Sequence, residues 1–265
     1  MKSTVSILRF ALAALLPLLG FAAVGSAQSA DLLQEVKARG TLTVGLEGTY
    51  PPFSFEDKGG KLAGFEVDFA NALAKELGVK AVFRPTKWDG ILAALESKRI
   101  DVAINQVTIS EERKNKYDFS VPYTVSGIQA VTRKGEEAKF QKPADLNAKK
   151  VGVGLGTNYE QWLKANVPGA DIRTYDDDAT KYQDLRVRRL DAILIDRLAA
   201  FDLIKKTENS LAVAGEPFAR QEAGIPIRKG NPEFLAAVNK AIEKLRSDGT
   251  LTQLSQKWFS ADVTR

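Results

Sequence analysis

Apolar and β-branched residues crowd positions 41–46 and then give way to Glu47-Gly48-Thr49-Tyr50-Pro51-Pro52, a switch that predicts a strand running into a loop. Proline holds its predecessor in extended geometry, so this loop is not helical. A short helical pattern over 32–37 precedes the strand. Residues 65–77 carry apolar side chains at helical spacing up to Gly78, which predicts a helix with a glycine stop. A strand over 80–85, a helix over 88–95 and a strand over 102–105 follow. Alternating strands and helices predict an α/β fold with a mainly parallel sheet, in which sites lie beyond the carboxyl ends of the strands.

The pattern then returns. Residues 149–154 read as a strand entering a glycine-containing loop, and 159–165 as a helix. Arg99-Ile100-Asp101-Val102-Ala103-Ile104 is echoed by Arg189-Leu190-Asp191-Ala192-Ile193-Leu194. Each half has a helix, an Arg-apolar-Asp turn and a buried strand, so two similar lobes are expected. The last part has no such loops: 222–229 is extended, and 232–245 and 251–259 are amphipathic helices. That segment is expected to return to the first lobe. Crossings then fall near 126–132 and 216–224, giving lobe 1 as 28–128 with 222–265 and lobe 2 as 129–221. Paired crossings favour hinge closure around a ligand.

The first residues change where such a protein works. Lys2 and Arg9 precede an apolar run over 10–24, followed by Gly25, Ser26 and Ala27, which reads as a secretory signal over 1–27. Pro17 and Gly20 break the run below the roughly 20 residues that span a bilayer. Cleavage is expected after Ala27, with Ala30 the alternative. The chain has 265 residues and a formal charge of +5, of which Lys2 and Arg9 supply two. The small remaining excess, without a basic block, argues against nucleic acid as a partner. There is no Cys and no His. Disulfides, thiolate nucleophiles, Cys-ligated zinc and Ser-His-Asp catalysis are thereby excluded. So is a lipid on an N-terminal Cys, which leaves a freely diffusing exported protein and points to a periplasm.

Candidate chemistry gathers at the strand ends. Arg113 offers a planar fork of donors that matches a carboxylate, and Thr108 adds a hydroxyl nearby. The plainer reading makes Arg113 a solvated residue of the charged stretch 111–116. Ser110 reads as a helix N-cap. Gly156-Thr157-Asn158 lies between a strand and a helix, where backbone N–H groups and a hydroxyl can face an anion or simply make the turn. Asp196 closes an apolar strand and suits a ligand ammonium, or else caps a helix or pairs with Arg197. Tyr50, Phe53 and Trp88 offer flat apolar surface, Phe53 being the one most readily assigned to the core. A fork for a carboxylate, an acid for an ammonium and aromatic walls between them describe an α-amino acid. Read by opposite lobes, its two charges reward closure only when it is bound.

At these residues the chain resembles the polar amino-acid solute-binding proteins of ABC importers. The resemblance rests on Gly40-Thr41-Leu42-Thr43-Val44-Gly45, Tyr50-Pro51-Pro52-Phe53, Gly64-Phe65-Glu66-Val67-Asp68, Thr108-Ile109-Ser110 with Arg113, Tyr117-Asp118-Phe119-Ser120 and Pro122-Tyr123. Within that family, 85–90, 104–110, 153–159 and 174–178 with 181–186 resemble the cystine-binding members. The fold implied is the type II periplasmic binding protein, two lobes joined by two hinge strands. The resemblance implies that Arg113 and Thr108, helped by Thr157, hold the α-carboxylate and Asp196 the α-ammonium. Tyr50 and Trp88 would sandwich the side chain, with Gln106 and Gly156 adding polar contacts. Cystine has a second zwitterionic end, for which Asn158, Tyr159 and Glu47 are the candidates. The partners implied are L-cystine or a related amino acid and an inner-membrane permease; a monomer without cofactor, metal or catalytic activity is expected. The chain departs from many relatives at Glu47, where they carry Asp, and at Gln106, where they carry Gly or Ser. The alternatives are another polar or sulfur-containing ligand, a sensory accessory, or a dehydratase of the same fold using Glu47 or Glu160.

Overall fold

The computed structural model describes residues 31–208 and 210–265. The expected signal over 1–27, with its cleavage after Ala27 or Ala30, lies outside the described residues. Among the described residues no helix is long and apolar enough to cross a membrane.

The first sheet has the order Lys80–Pro85, Thr41–Leu46, Val102–Ala103, all parallel. Its central strand buries Leu42, Val44 and Leu46, and the helix Phe65–Glu76 lays Phe65, Phe69 and Leu73 into the core. The helix Trp88–Glu96 covers another cluster built on Ile91, Leu95 and Ile100. The second sheet runs Asp171–Tyr175, Lys150–Gly154, Ala192–Asp196, Thr124–Arg133, Leu211–Ala214. Its first three strands are parallel and Thr124–Arg133 is antiparallel to both neighbours.

Thr124–Arg133 joins the two halves. Its first residues pair with Arg220–Ala223, in the register Gly127 to Arg220 and Thr124 to Ala223, so the two extended segments lie side by side. The extended stretch expected over 222–229 is two strands, Arg220–Ala223 and Pro226–Arg228, the latter paired with Tyr117–Phe119. The break falls at Gly224, where a Cβ would come within 2.8 Å of Ile109, and at Ile225, whose N–H turns to Ser120 Oγ at 2.8 Å.

The C-terminal segment packs on the first sheet's helices, held by exchanged caps. Asp31 Oδ1 accepts from Leu33 N at 2.9 Å and from Phe234 N at 3.0 Å, while Asn231 Oδ1 accepts from Leu32 N at 2.9 Å. One carboxylate thereby satisfies orphan donors of two helices, Leu32–Arg39 and Pro232–Ser247. The last helix, Thr250–Phe259, is tied to Asp68 through Trp258 Nε1 at 2.9 Å.

The sequence echo has a packing cause. Asp101 accepts from Thr43 N at 2.7 Å and Asp191 from Lys150 N at 2.9 Å, so each acid fixes the first residues of the neighbouring strand. The apolar residue before each acid lies over a glycine: Ile100 where Gly45 would place a Cβ, and Leu190 where Gly152 would. An arginine from outside each turn then closes it. Arg228 Nη1 donates to Leu95 O and Ile100 O, both at 2.9 Å, and Arg133 Nη1 donates to Leu185 O at 2.8 Å and Leu190 O at 2.6 Å. The same offset of 90 residues that relates Ile100 to Leu190 pairs Trp88 with Asp178, Ile91 with Lys181 and Gln106 with Asp196.

Candidate functional site

The carboxyl ends of both sheets face one cavity of about 650 Å³, counting its opening to solvent. Glu47, Tyr50, Trp88, Asn105 and Gln106 line it from the first half, and Thr157, Asn158, Tyr159, Asp178 and Lys181 from the second. Strand pairing delivers the first group: Thr41–Leu46 ends at Glu47, Val102–Ala103 leads to Asn105 and Gln106, and Tyr50 sits on the short strand Thr49–Tyr50 against Ser54–Glu56. In the second group, Asn158 and Asp178 open the helices Asn158–Asn166 and Asp178–Arg186.

Of the nine expected site residues, Tyr50, Trp88, Gln106, Thr157 and Asn158 line the cavity, whereas Thr108, Arg113, Gly156 and Asp196 are not among its lining residues. Arg113 is 6% exposed, not the solvated residue of a charged run. Its Nη1 donates to the Thr108 carbonyl at 3.0 Å and its guanidinium lies 5.3 Å from the Trp88 ring centroid. Burial lowers its pKa, yet a guanidinium stays charged. Asp196 is 2% exposed and does cap a helix, Oδ1 accepting from Leu198 N at 2.7 Å and from Ser126 Oγ at 2.9 Å. Burial pushes its carboxyl up to about 6. Ser110 caps Arg113 N at 3.3 Å, as expected. Phe53 is fully buried in the core.

The Gly156 turn takes its plainer form. Gly156 N donates to Glu160 Oε2 at 2.7 Å, and Thr157 Oγ1 donates to Gly154 O at 2.7 Å while accepting from Glu160 N at 3.3 Å. Gly156 carries φ 69°, the left-handed geometry that admits glycine without strain. Glu160 itself is bound by Lys164 Nζ at 2.6 Å and its carboxyl is lowered.

Tyr50 and Tyr159 meet across the cavity, and burial drives both phenols well above their ordinary pKa. Both tyrosines feel Asp196 and Asp178, and Tyr159 also feels Arg113. Glu47 Oε2 accepts from Asn105 Nδ2 at 2.8 Å, and burial raises Glu47 to about 7, with Asp178 and Asp89 raising it further against Lys181. Gln106 holds φ 49° because its N–H and side chain turn inward to Glu66 Oε1, at 2.6 and 3.2 Å.

Sequence reasoning overlooked Asn105, Asp178 and Lys181. The matching of the two Arg-apolar-Asp turns held the signal: extended back to the preceding helices, it sets Lys181 where the first half has the core residue Ile91.

Residues 42–261 match the family described as bacterial extracellular solute-binding proteins, family 3. The L-cystine-binding protein TcyJ of Escherichia coli (strain K12) is 68% identical over 234 residues, 88% of each chain. The L-cystine-binding protein TcyA of Bacillus subtilis (strain 168) is 38% identical over 91% of this chain and 89% of its own. Among solved structures, an ancestral arginine-binding protein bound to arginine superposes with TM-score 0.80 at 44% identity, over 83% of this chain and 99% of that one. The ancestral amino acid-binding protein AncCDT-1, described as a precursor of cyclohexadienyl dehydratase, gives TM-score 0.80 at 42% identity, over 86% and 99%. The architecture is that of the type II periplasmic binding proteins, and the chain belongs to the bacterial extracellular solute-binding proteins of family 3.

Proposed function

We propose that this chain is the periplasmic binding component of an ABC importer, closing around L-cystine and handing it to an inner-membrane permease without altering it. The observation that carries the reading is that Arg113 and Asp196, buried and of opposite charge on separate halves, each stand beside a residue that lines the cavity, Arg113 at 5.3 Å from the Trp88 ring centroid and Asp196 next to Ile195. A zwitterion between them satisfies both charges, and neither half can do so alone. Arg113 and Thr108, with Thr157, take the α-carboxylate; Asp196 takes the α-ammonium. Tyr50 and Trp88 flank the side chain, and Gln106, Gly156 and Asn158 add polar contacts. Residues 28–128 and 222–265 form one lobe and 129–221 the other, the protein acting as a monomer after its signal is removed. The two cystine-binding relatives support cystine over other amino acids.

A second reading has two observations in its favour. Glu47 lines the cavity with its carboxyl near 7, as a general acid requires, and the AncCDT-1 relation names a dehydratase lineage. Calorimetry with purified protein separates the two. L-cystine should bind the wild type, and Arg113→Ala should weaken it about 100-fold, as loss of one partner in a buried charge pair does. No heat from cystine, or equal affinity in the variant, refutes the binding reading; consumption of prephenate would favour the enzyme.

A further inference from the structure

Glu66 is an acid buried in the first half, and the proposed ligand contacts leave it without a task. It stands in the first turn of the helix Phe65–Glu76 and is 0% exposed. Its Oε1 accepts from Gln106 N at 2.6 Å, Gln106 Nε2 at 3.2 Å and Tyr123 Oη at 2.8 Å, while Oε2 is buried without a partner. These bonds hold Gln106, which lines the cavity, in its left-handed conformation. Gln106 Oε1 in turn accepts from Thr124 Oγ1 at 2.8 Å, at the start of the strand Thr124–Arg133 that runs into the second half. Two residues on, Ser126 Oγ donates to Asp196 Oδ1 at 2.9 Å. Hydrogen bonds thus lead from a buried carboxyl group, through the cavity wall, to the segment that joins the halves.

The fold does not ask for an acid here. All three partners of Oε1 are donors, and a glutamine oxygen would accept from each of them without a charge. The ionised form has little to support it. Tyr123 stays neutral, its phenol driven well up by burial, Glu66 and Asp196, and Glu47 at the cavity is a like charge. On the strands packed against the helix, Glu56, Lys80 and Arg84 are exposed. On the C-terminal helices, Lys244, Arg246 and Lys257 pair with Glu76, Glu243 and Asp68. Burial pushes the Glu66 carboxyl up to about 7, where it exchanges its proton near neutrality.

We propose that Glu66 is a positioning residue that couples closure around the ligand to its own proton. Neutral, it lets the Gln106 wall and the strand Thr124–Arg133 lock together. Ionised, it favours the open form, in which solvent reaches the wall one residue away from its charge. The closed form then holds the proton more tightly than the open one, and ligand affinity falls as pH rises through the titration. The inference rests on the proposed reading of two lobes closing on an amino acid.

Calorimetry of L-cystine binding across a pH series tests it in the wild type, Glu66→Gln, Glu66→Leu and Tyr123→Phe. Between about pH 6 and about pH 8 the wild type should lose about fivefold more affinity than Glu66→Gln, which keeps the acceptor but cannot ionise. Asp196 and Glu47 titrate in both proteins and drop out of that comparison. Glu66→Leu, which strands Gln106 N and Tyr123 Oη, should bind about tenfold more weakly than Glu66→Gln throughout. Tyr123→Phe removes a donor that lowers the Glu66 carboxyl, so the midpoint of the pH dependence should move upward; this decides the matter if neither Glu66 variant folds. Parallel losses in the wild type and Glu66→Gln, equal affinities of Glu66→Gln and Glu66→Leu, or an unmoved midpoint in Tyr123→Phe overturn the coupling while amino-acid binding stands. A wild type that binds no cystine at any pH of the series overturns the binding reading as well.

Discussion

Ile100 fills the space over Gly45 in the first half of the molecule, and Leu190 fills the space over Gly152 in the second. Asp101 and Asp191 anchor the neighbouring strands, and Arg228 and Arg133 close the two turns in the same way. None of these residues lines the cavity. At the carboxyl ends the correspondence of position persists but that of chemistry ends: Trp88 answers to Asp178, Ile91 to Lys181, Gln106 to Asp196. Packing fixes the first set, because each member fills or satisfies a site inside its own half. In the second set Trp88, Gln106, Asp178 and Lys181 line the cavity, and it is there that one scaffold used twice acquires the asymmetry needed to read unlike ends of a guest.

Removing the arginines is the hardest blow to this comparison. Arg133→Met frees the carbonyls of Leu185 and Leu190 and leaves Glu136, paired to Arg133 Nη2 at 2.7 Å, without that partner. It should cost about 3 kcal/mol, against about 2 for Arg228→Met, which frees two carbonyls and no acid. Urea titration measures both. A near-zero cost for either would mean that the two turns are not equivalent in energy.

The glycines sharpen it. The three atoms nearest a Cβ on Gly45 all belong to Ile100, whereas one on Gly152 meets Leu190, Ile193 at 3.1 Å and Lys181 at 3.2 Å. Gly152→Ala should therefore cost about 2 kcal/mol and Gly45→Ala about 1, both by overpacking. Gly152→Ala should also weaken cystine binding, since it displaces Lys181, while Gly45→Ala should leave binding alone. Loss of binding in both variants would remove the distinction between frame and site.

The same division explains what could be read from the chain. The frame was legible: the helix expected over 65–77 is Phe65–Glu76, and the strand over 80–85 is Lys80–Pro85. The strand expected over 102–105 stops at Ala103, because Asn105 turns to Glu47 and Gln106 to Glu66. The helix Asp178–Arg186 has no clear apolar stripe, since Lys181 holds a core-facing position. The three short strands Thr49–Tyr50, Ser54–Glu56 and Leu62–Ala63 are too brief to show a period. Arg113 and Asp196 are legible in sequence as charged residues near strand ends, but their burial depends on pairings between segments distant in the chain, which no local pattern encodes.

The smallest effect concerns a buried acid of the first half. Glu66 Oε1 accepts from Tyr123 Oη at 2.8 Å and from Gln106 N at 2.6 Å, while Oε2 is buried without a partner. Burial raises the carboxyl from its ordinary 4.5 to about 7. Between those values the folded chain keeps a proton that the unfolded chain releases, so stability falls as pH rises through the window. Glu47, also near 7, and Asp196, near 6, act in the same direction. The ligand-free protein should thus be more resistant to urea at pH 5 than at pH 8. Glu66→Gln stays neutral throughout and should remove Glu66's share of that difference, the rest persisting through Glu47 and Asp196. If the variant and the wild type lost stability in parallel from pH 5 to 8, Glu66 would be ionised in the fold, and its burial would need a compensating charge.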